Sequence, residues 1–600
     1  MDTRMETILG IDLGTTNSEV AVIRDGKAEV LKENGTAILP SVVGLDAQGR
    51  LLVGTPARNQ AVLAPERTVR SVKRRMGSGE TVSLGDQQYS PQEISAMILR
   101  ELKQRAEKEL GHPVHKAVIT VPAFFNETQR EATREAGQLA GLEVVRIINE
   151  PTAASLAYES GHTGMERLVV YDLGGGTFDV SIVQIEQGVV EVLASHGNTK
   201  LGGDDFDQLL LDRVCDDFAE EHGIDLRESL SARSRLLRAV EEAKIKLSYE
   251  PVVRIQEEFI AQKDGAPINL DREITRPEYE ELIEPLLSKT LVCVDESLSD
   301  AGLNATQIDK VILVGGATRT PLVGRLLEEQ LGQPVHAEVD PDLCVAMGAA
   351  IQAGLIAGVD VGPVLVDITP HTLGIQTAGS LYGLRSSYQF SPLIRRNSPL
   401  PAGRSELFGT VFDGQEKARI CVYQGENEDV RHNEFVGEFV LDGLADVTRG
   451  NEILVRFDLD LDGILKVTAN ERATGRAKEL VVDNAVSRFR RRNREDARNR
   501  LDSAFSSRSD SAPVQTAAEE VPVGPASDAE LPTELNQAIA KSEELIAKSK
   551  QIAPDAGPED AEEIGQLIEK LRAAMDRRSQ SEIEETTAKL EDLVFYLHDA

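Results

Sequence analysis

The feature that most constrains this chain is a short glycine-containing phrase that occurs twice. Asp12-Leu-Gly-Thr-Thr16 and Asp172-Leu-Gly-Gly-Gly-Thr177 each lie between two short apolar runs. An apolar run, a turn of small residues and a second apolar run predict a β-hairpin. Glycines let backbone N–H groups converge on an anion, threonine hydroxyls add donors, and an adjacent aspartate can hold Mg²⁺ through water. Two such hairpins would grip the phosphates of one nucleotide from both sides, in a cleft between two related lobes.

The bulk properties of the chain exclude several classes of protein. With 600 residues, several domains are expected. A formal net charge of −35 argues against nucleic acid or an anionic membrane as partner. The sequence has no apolar run of about twenty residues and no apolar signal core at its N-terminus, and its four cysteines are widely spaced. We therefore predict a cytoplasmic protein with free thiols and with no nucleic-acid or membrane partner.

The order of local patterns predicts three folded regions. Strand-like and helix-like stretches alternate through residues 1–358, which is typical of an α/β domain. Residues 359–367 contain Gly362 and Pro363 and are predicted to be a non-helical linker. Short alternating runs over 368–486, broken by Gly, Asp and Asn, predict an antiparallel β domain.

The C-terminal part of the chain has a different character. Residues 487–532 are Arg-rich and then rich in Ser, Ala and Pro, which predicts a disordered connector. The arginines of 488–500 are interleaved with acidic residues, so we predict a solvated helix or a lid connection there. Helical periodicity returns in 533–600, where segments near 533–551, 558–576 and 579–598 predict a small helical hairpin or bundle.

Three further features gain meaning only beside a nucleotide. Glu241, Lys244 and Ser248 have the spacing of one helical face, which alone indicates a solvated face with a Glu–Lys pair. Next to a nucleotide, the same face could hydrogen bond to a base and a ribose. Gly315-Gly316 is either a tight turn or a point where a nucleotide approaches the backbone. Glu150 could orient a water for attack on a γ-phosphate, or cap the helix that follows it.

Several long segments together resemble the signatures of the seventy-kilodalton heat-shock chaperones, of the bacterial DnaK type. They are Ile11-Asp-Leu-Gly-Thr-Thr-Asn-Ser18, Ile147-Ile-Asn-Glu-Pro-Thr-Ala-Ala154, Asp172-Leu-Gly-Gly-Gly-Thr-Phe-Asp179, Leu201-Gly-Gly-Asp-Asp-Phe-Asp207 and Val311-Ile-Leu-Val-Gly-Gly-Ala-Thr-Arg-Thr-Pro321. The resemblance is dense over residues 6–483 and weak over 487–600.

This resemblance implies a fold and a function. The fold would be an actin-like α/β ATPase domain over 1–358, an antiparallel β-sandwich that binds peptide over 368–486, and a divergent α-helical lid over 533–600. The function would be that of an ATP-dependent, stress-response chaperone that hydrolyses ATP to control peptide release and assist folding. ATP or ADP and Mg²⁺ would be its cofactors, with K⁺ as a further candidate. Its partners would be unfolded or extended apolar polypeptides, a J-domain co-chaperone and a GrpE-type exchange factor, and the protein would be mainly a monomer.

The resemblance also implies roles for individual residues. Those matching catalytic positions are Lys73, Glu150, Asp172, Thr177 and Asp179, with Thr177 also a candidate for phosphorylation. Those matching the Mg²⁺ site are Asp12 and Asp172. Those matching ATP contacts are Gly14, Thr15, Thr16, Gly174, Gly175, Gly176, Gly202, Gly203, Glu241, Lys244, Ser248, Gly315, Gly316, Arg319 and Asp342. Pro122 and Arg130 match positions that couple the two domains. Those matching the peptide site are Ile375, Phe408, Val411, Ala418 and Ile420.

The sequence departs from the family pattern at several places. Pro363 replaces part of an acidic, Leu-rich linker, and Gly379 to Leu393 holds an apparent insertion. Ala418 stands where the family usually has valine, which predicts a wider central pocket. Two other hypotheses stay open on fold grounds, because one fold can serve many activities. These are a small-molecule kinase and a filament-forming ATPase, each built on the actin-like fold.

Overall fold

A computed structural model of the chain describes residues 6–159, 164–336, 340–359, 361–381, 384–461, 463–481 and 497–505, with 567–568, 570–572 and 587. The chain divides into two compact units, residues 1–512 and 513–600. In the second unit the described residues are helical. The remainder of the helical segments predicted over 533–600, and all of 506–532, lie outside the described residues.

Residues 6–159, here called the first lobe, alternate strands and helices as predicted. The strands are β1 (Ile8–Leu13), β2 (Asn17–Arg24), β3 (Lys27–Val30), β4 (Leu39–Pro40), β5 (Val43–Leu45), β6 (Leu51–Val53), β7 (Thr68–Val69), β8 (Val82–Leu84), β9 (Gln87–Tyr89), β10 (Lys116–Val121) and β11 (Glu143–Asn149). The helices are α1 (Thr55–Gln60), α2 (Pro91–Leu110), α3 (Glu127–Leu139) and α4 (Glu150–Glu159). Local chemistry sets the ends of α2, because Ser90 and Glu93 form a capping box and Gly111 ends the helix in the left-handed region.

Residues 164–359, the second lobe, have the same alternation. The strands are β12 (Met165–Leu173), β13 (Phe178–Glu186), β14 (Val189–Asn198), β15 (Val252–Lys263), β16 (Ala266–Thr275), β17 (Lys310–Val314) and β18 (Val335–His336). The helices are α5 (Gly203–His222), α6 (Leu230–Leu247), α7 (Arg276–Asp300), α8 (Pro321–Leu331) and α9 (Cys344–Ile356).

The two lobes repeat one sheet topology. In the first lobe the strand order is β11-β10-β1-β2-β3, and in the second it is β18-β17-β12-β13-β14. In each sheet, the first three strands pair antiparallel in sequence order. Two later strands extend the sheet from the free edge of the first strand, and both run parallel to it. The duplicated phrase thus lies at the same turn, between the first two strands, in both sheets.

Helix α9 of the second lobe packs tightly against the first lobe. It contacts α4, β1 and β2, and its face toward α4 is made of small residues. A Cβ added at Gly348 would lie 1.7 Å from the carbonyl oxygen of Ala153, so only glycine permits this approach. The close crossing fixes the sheets, and with them the two duplicated turns, relative to each other.

Strands run through residues 361–481, and those from residue 368 onward lie where the sequence predicts a β domain. The strands are β19 (Val364–Val366), β20 (Leu373–Leu381), β21 (Leu384–Ile394), β22 (Ala402–Gly409), β23 (Lys417–Gln424), β24 (Glu434–Asp442), β25 (Glu452–Leu459), β26 (Leu465–Glu471) and β27 (Ala477–Val481). Two four-stranded antiparallel sheets, β21-β20-β23-β24 and β22-β25-β26-β27, enclose one apolar core. The described residues of 379–393, where the sequence predicts an insertion, belong to the β20–β21 hairpin. Strand β19 lies in the predicted linker and pairs in parallel with β14 of the second lobe.

Residues 497–505 form a helix that packs on the first lobe. Its apolar side chains Ala497, Leu501 and Phe505 are buried in the core of that lobe. Arg500 forms an ion pair with Glu93 of α2. The sequence predicts only a solvated helix or a connector here, because its arginines hide the spacing of the apolar residues. In the parts of the chain that the structure describes, no helix is both long enough and apolar enough to cross a membrane.

Candidate functional site

The two duplicated turns face each other across the cleft between the lobes. A Cβ added at Gly175 would lie 1.9 Å from Thr16 Oγ1, and one added at Gly176 would lie 2.7 Å from Thr15 Cγ2. The hydroxyl of Ser41 donates to the carbonyl oxygen of Gly14 at 2.8 Å and holds the first turn. The predicted pair of opposed hairpins is therefore confirmed in its geometry, and glycine at position 175 is a steric requirement.

A cavity of about 560 Å³ lies between the turns, which is a volume suited to a small-molecule ligand. Most residues that the sequence predicts to bind a nucleotide line it: Asp12, Gly14, Thr15, Thr16, Lys73, Glu150, Asp172, Gly174, Gly175, Thr177, Gly203, Glu241, Lys244, Ser248, Gly315, Gly316, Arg319 and Asp342. Gly176, Gly202 and Asp179 are not part of the lining. Gly202 packs against the Gly175–Gly176 backbone, and Asp179 lies opposite Asp172 in the β12–β13 pairing.

A buried ion pair between Lys73 and Glu150 lies at the inner end of the cavity. Lys73 is on a short 3₁₀ turn, Val72–Arg75, that follows Ser71 in a left-handed conformation. Although burial opposes its charge, the Glu150 and Asp12 carboxylates raise the pKa of Lys73, so the ammonium stays protonated. Burial raises the pKa of Glu150. Such a carboxylate can take a proton from an attacking water near neutral pH.

Three aspartates surround this ion pair. Asp12 accepts a hydrogen bond from Thr120 Oγ1 at 2.8 Å, and Asp179 accepts one from the backbone N–H of Phe124 at 2.9 Å. Burial raises the pKa of Asp12 and of Asp172, and it raises that of Asp179 to about 6. The second oxygen of Asp179 is buried and has no hydrogen-bond partner. Oxygen donors in excess of nearby cations are the donor set that Mg²⁺ prefers, so these residues fit a hydrated Mg²⁺ ion.

The other end of the cavity is lined by the helical face predicted from spacing. Glu241, Lys244 and Ser248 all face the cavity. The expected Glu241–Lys244 pair is not what the structure has. Lys244 instead binds Asp207 at 2.8 Å and the carbonyl oxygen of Gly203 at 3.1 Å, while Glu241 pairs with Arg70 of the first lobe.

Arg74 is a second link across the cleft, which sequence reasoning missed. It leaves the first lobe beside Lys73 and donates to Asp205 at 3.0 Å and to the carbonyl oxygen of Lys200 at 3.0 Å, both in the second lobe. In the sequence, an arginine beside Lys73 matches no motif of its own. Its partners lie in the other lobe, so they come near Arg74 only in the folded protein.

We expect Arg74→Ala to speed the release of a nucleotide such as ADP from the predicted site about fivefold. The variant loses a partly buried ion pair with Asp205 and an exposed hydrogen bond to Lys200, which together link the lobes. Stopped-flow displacement of a fluorescent ADP would measure the rate. Arg75→Ala is the matched control, since Arg75 lies on the same turn and is exposed. Equal release rates in all three proteins would contradict a bridging role for Arg74.

The residues predicted to form the peptide site lie in the β-sandwich. Ile375, Ala418 and Ile420 are buried together in its core, and Phe408 packs against that core. Val411 lies just beyond the end of β22 and is exposed, as is the adjacent Phe412. The structure thus brings the first four residues together and sets Val411 apart at the surface.

The two residues predicted to couple the domains lie at the junction of the first lobe and the linker. Pro122 follows β10 and is buried. Arg130, on α3, donates to the carbonyl oxygens of Ala123 and Phe125 and to Asn149 Oδ1, the last at 2.7 Å. Asn149 in turn donates to both carboxylate oxygens of Asp367, at 3.1 and 3.0 Å. Asn149 directly precedes Glu150, so this network joins the cavity to the strand β19 region.

Further contacts hold the β-sandwich against both lobes. Asn126 Nδ2 donates to Glu434 at 2.7 Å, and Arg396 and Asn397 both donate to Asp300. His371 Nε2 lies 3.1 Å from the carbonyl oxygen of Phe124, and the two rings are packed edge to face. Burial lowers the pKa of His371 to about 4.

Acidification should therefore weaken the docking of the β-sandwich. If the contact opens, His371 regains its ordinary pKa of 6.5. The docked arrangement is then fully favoured above that value and loses stability as pH falls toward about 4, by about tenfold between pH 7.5 and 5.5. The other charged groups acting on His371 are Arg130, Glu426 and His196.

Small-angle X-ray scattering in ATP at the two pH values would measure this docking. His371→Gln is the control, because glutamine can make the contact without titrating. A wild-type radius of gyration that is unchanged by acidification, or an equal change in the variant, would contradict this role of His371.

Comparison with known proteins gives concordant matches. The model of the family described as Hsp70 protein matches residues 8–82 and 79–599. Proteins named chaperone protein DnaK from Thermotoga petrophila, Thermotoga neapolitana and Thermotoga maritima are each 48% identical over 491 residues. Each of these matches covers 80% of this chain and 81% of the relative.

Proposed function

The chain belongs to the Hsp70 family and is an ATP-dependent chaperone that hydrolyses ATP in support of protein folding; we propose that the cavity between the two lobes is its ATPase site. The observation that carries this proposal is the buried Lys73–Glu150 pair enclosed by two opposed glycine turns. The turns offer backbone N–H groups and the hydroxyls of Thr15, Thr16 and Thr177 to phosphate oxygens. Glu241, Lys244, Ser248 and Arg319 offer hydrogen bonds to the adenosine end.

In this proposal Lys73 and Glu150 act on the γ-phosphate together. Glu150 orients a water and accepts its proton as the water oxygen attacks phosphorus. The bond to the bridging oxygen breaks, leaving ADP and inorganic phosphate. The Lys73 ammonium offsets the negative charge that develops on the transferring group. Thr177 lines the same end of the cavity. It is therefore within the site for the proposed phosphorylation, with ATP as donor.

Asp12 and Asp172 would hold the Mg²⁺ ion through its water ligands, with Asp179 behind them. When bound, the ion neutralises charge on the phosphates. The unpartnered oxygen of Asp179 supports this assignment, because a buried acceptor of this kind is commonly satisfied by an ion or an ordered water. Binding of K⁺ at this site stays a prediction.

Client binding is assigned to the β-sandwich, where an extended apolar peptide would be held by backbone hydrogen bonds and side-chain pockets. Ile375, Phe408, Ala418 and Ile420 are proposed to form the pocket, with Val411 beside its entrance. A J-domain co-chaperone and a GrpE-type exchange factor are proposed as partners. The cytoplasmic location, the monomeric state and the domain boundaries also remain predictions.

The kinase and filament hypotheses are not favoured. The family match continues through the β-sandwich to residue 599. Neither a small-molecule kinase nor a filament-forming ATPase needs such a β domain.

The test is the dissociation rate of a fluorescent apolar peptide from the full chain, measured with ATP and then with ADP. Faster release in ATP is expected, because coupling between the two sites makes the peptide site respond to the nucleotide. Equal rates would mean a peptide binder without coupling. An absence of peptide binding would contradict the assignment of the client site.

A further inference from the structure

Glu19 lies in the nucleotide cavity but belongs to no motif that the sequence singled out. It is on β2, directly opposite Asp12 in the β1–β2 pairing. Opposite residues of an antiparallel pair project from the same face of the sheet, with Cβ atoms about 5 Å apart. Glu19 is only 2% exposed, yet it lines the cavity. Its carboxylate is thus part of the inner wall beside Asp12.

Glu19 is also a carboxylate of this wall that the described part of the protein leaves without a hydrogen-bond or ion-pair partner. Asp12 is bonded to Thr120, and Glu150 is paired with Lys73. Among the described residues, none hydrogen bonds to the Glu19 carboxylate or forms an ion pair with it. The nearest charged neighbours are mostly acidic, namely Asp12, Asp340 and Asp342, with Lys73 as the base. A buried carboxylate is disfavoured unless a cation or a donor satisfies it.

The charges around Glu19 indicate which kind of ligand would satisfy its carboxylate. An anion would be repelled by the aspartates, and an apolar group would leave the carboxylate desolvated. A hard cation with its water shell supplies both positive charge and O–H donors. We propose that Glu19 is a further carboxylate of the Mg²⁺ site, accepting hydrogen bonds from the ion's water ligands together with Asp12.

This inference rests on the proposed function, because it assumes that the cavity binds Mg²⁺ with the nucleotide. It makes Glu19 a positioning residue that retains the ion. Removing its charge should weaken Mg²⁺ binding while relieving like-charge repulsion across the β1–β2 pair in the ion-free protein. These two effects have opposite signs, which a residue that only filled space would not produce.

The experiment uses the full chain saturated with ADP, and MgCl₂ titrated by isothermal calorimetry. We expect Glu19→Gln to weaken Mg²⁺ binding about tenfold, as is usual when an outer-shell partner is lost. In EDTA, its melting temperature should equal or exceed that of the wild type. Glu135→Gln is the matched control, because Glu135 is equally buried, at 5% exposure, and lies outside the cavity.

The outcomes separate the two proposals. Mg²⁺ binding that depends on ADP in the wild type but is unchanged in Glu19→Gln would overturn the role of Glu19 alone. A wild type that binds no Mg²⁺ with ADP would overturn the Mg²⁺ assignment as well. If circular dichroism shows that Glu19→Gln is unfolded, Glu19→Asp replaces it. This variant keeps the charge but shortens the side chain, so a several-fold weakening is expected and an unchanged affinity would overturn the role.

Discussion

Lys73→Ala is expected to lower kcat for ATP hydrolysis about a thousandfold while nucleotide binding stays measurable. The Lys73 ammonium is buried and paired with Glu150, and both residues line the cavity between the two glycine turns. Its loss removes a preorganised positive charge from the reacting end of the site. It also leaves the Glu150 carboxylate without its partner, which raises the pKa of Glu150 further and keeps it protonated. A protonated Glu150 cannot accept the proton of the attacking water.

Single-turnover hydrolysis of radiolabelled ATP, with nucleotide affinity measured separately, tests this expectation. Lys244→Ala is the matched control, since Lys244 lines the same cavity, is proposed to contact the adenosine and is held by Asp207. We expect it to weaken nucleotide binding and to change the rate of the bound complex far less. Turnover by Lys73→Ala within a few fold of the wild type would show that the ammonium does not stabilise the transferring phosphoryl group.

The sequence predicted the elements around this site because their signals are local. A glycine turn between two apolar runs requires only neighbouring residues to form, and both hairpins are found where the pattern places them. The helical face of Glu241, Lys244 and Ser248 likewise follows from spacing alone. The duplication of the glycine-containing phrase predicted the two related lobes, since two similar turns imply two similar sheets.

The sequence did not predict contacts that depend on how distant segments meet. The partners of Arg70 and Arg74 lie in the other lobe, more than 100 residues away along the chain. The helix over 497–505 docks on α2 through Leu501 and Phe505, and nothing in its arginine-rich surroundings indicates a partner. Glu19 is an intermediate case. A hairpin that turns at residues 14–16 places Glu19 opposite Asp12, so the register could have revealed it.

A short polar network joins the first lobe to the linker, and we propose it as the route of coupling between the two domains. Asp367, at the end of the linker, is buried and accepts two hydrogen bonds from Asn149. Burial raises the pKa of Asp367, and the backbone N–H of Ile368 and the nearby Arg130 charge act to lower it. Since Asn149 is joined to Glu150 by a peptide bond, we expect a change at Glu150 to shift the group that holds the linker.

Asp367→Ala is therefore expected to reduce the ratio of peptide release rates in ATP and ADP about tenfold, which lies within the usual range of coupling between sites. Its ATPase rate without peptide should change much less, because Asp367 does not line the cavity. Release of a fluorescent apolar peptide, measured by stopped flow with each nucleotide, gives the ratio directly.

Glu434→Ala serves as the control variant for docking of the β-sandwich outside this network. Glu434 accepts a hydrogen bond from Asn126 across the same interface, and the contact is exposed. If docking area alone transmits the signal, both variants should lose coupling to a similar extent. If the Arg130–Asn149–Asp367 network transmits it, Asp367→Ala should lose most of the coupling and Glu434→Ala little. A stiff proline at position 363 then does not prevent communication, because the signal enters the linker at its far end, where Asp367 meets Asn149.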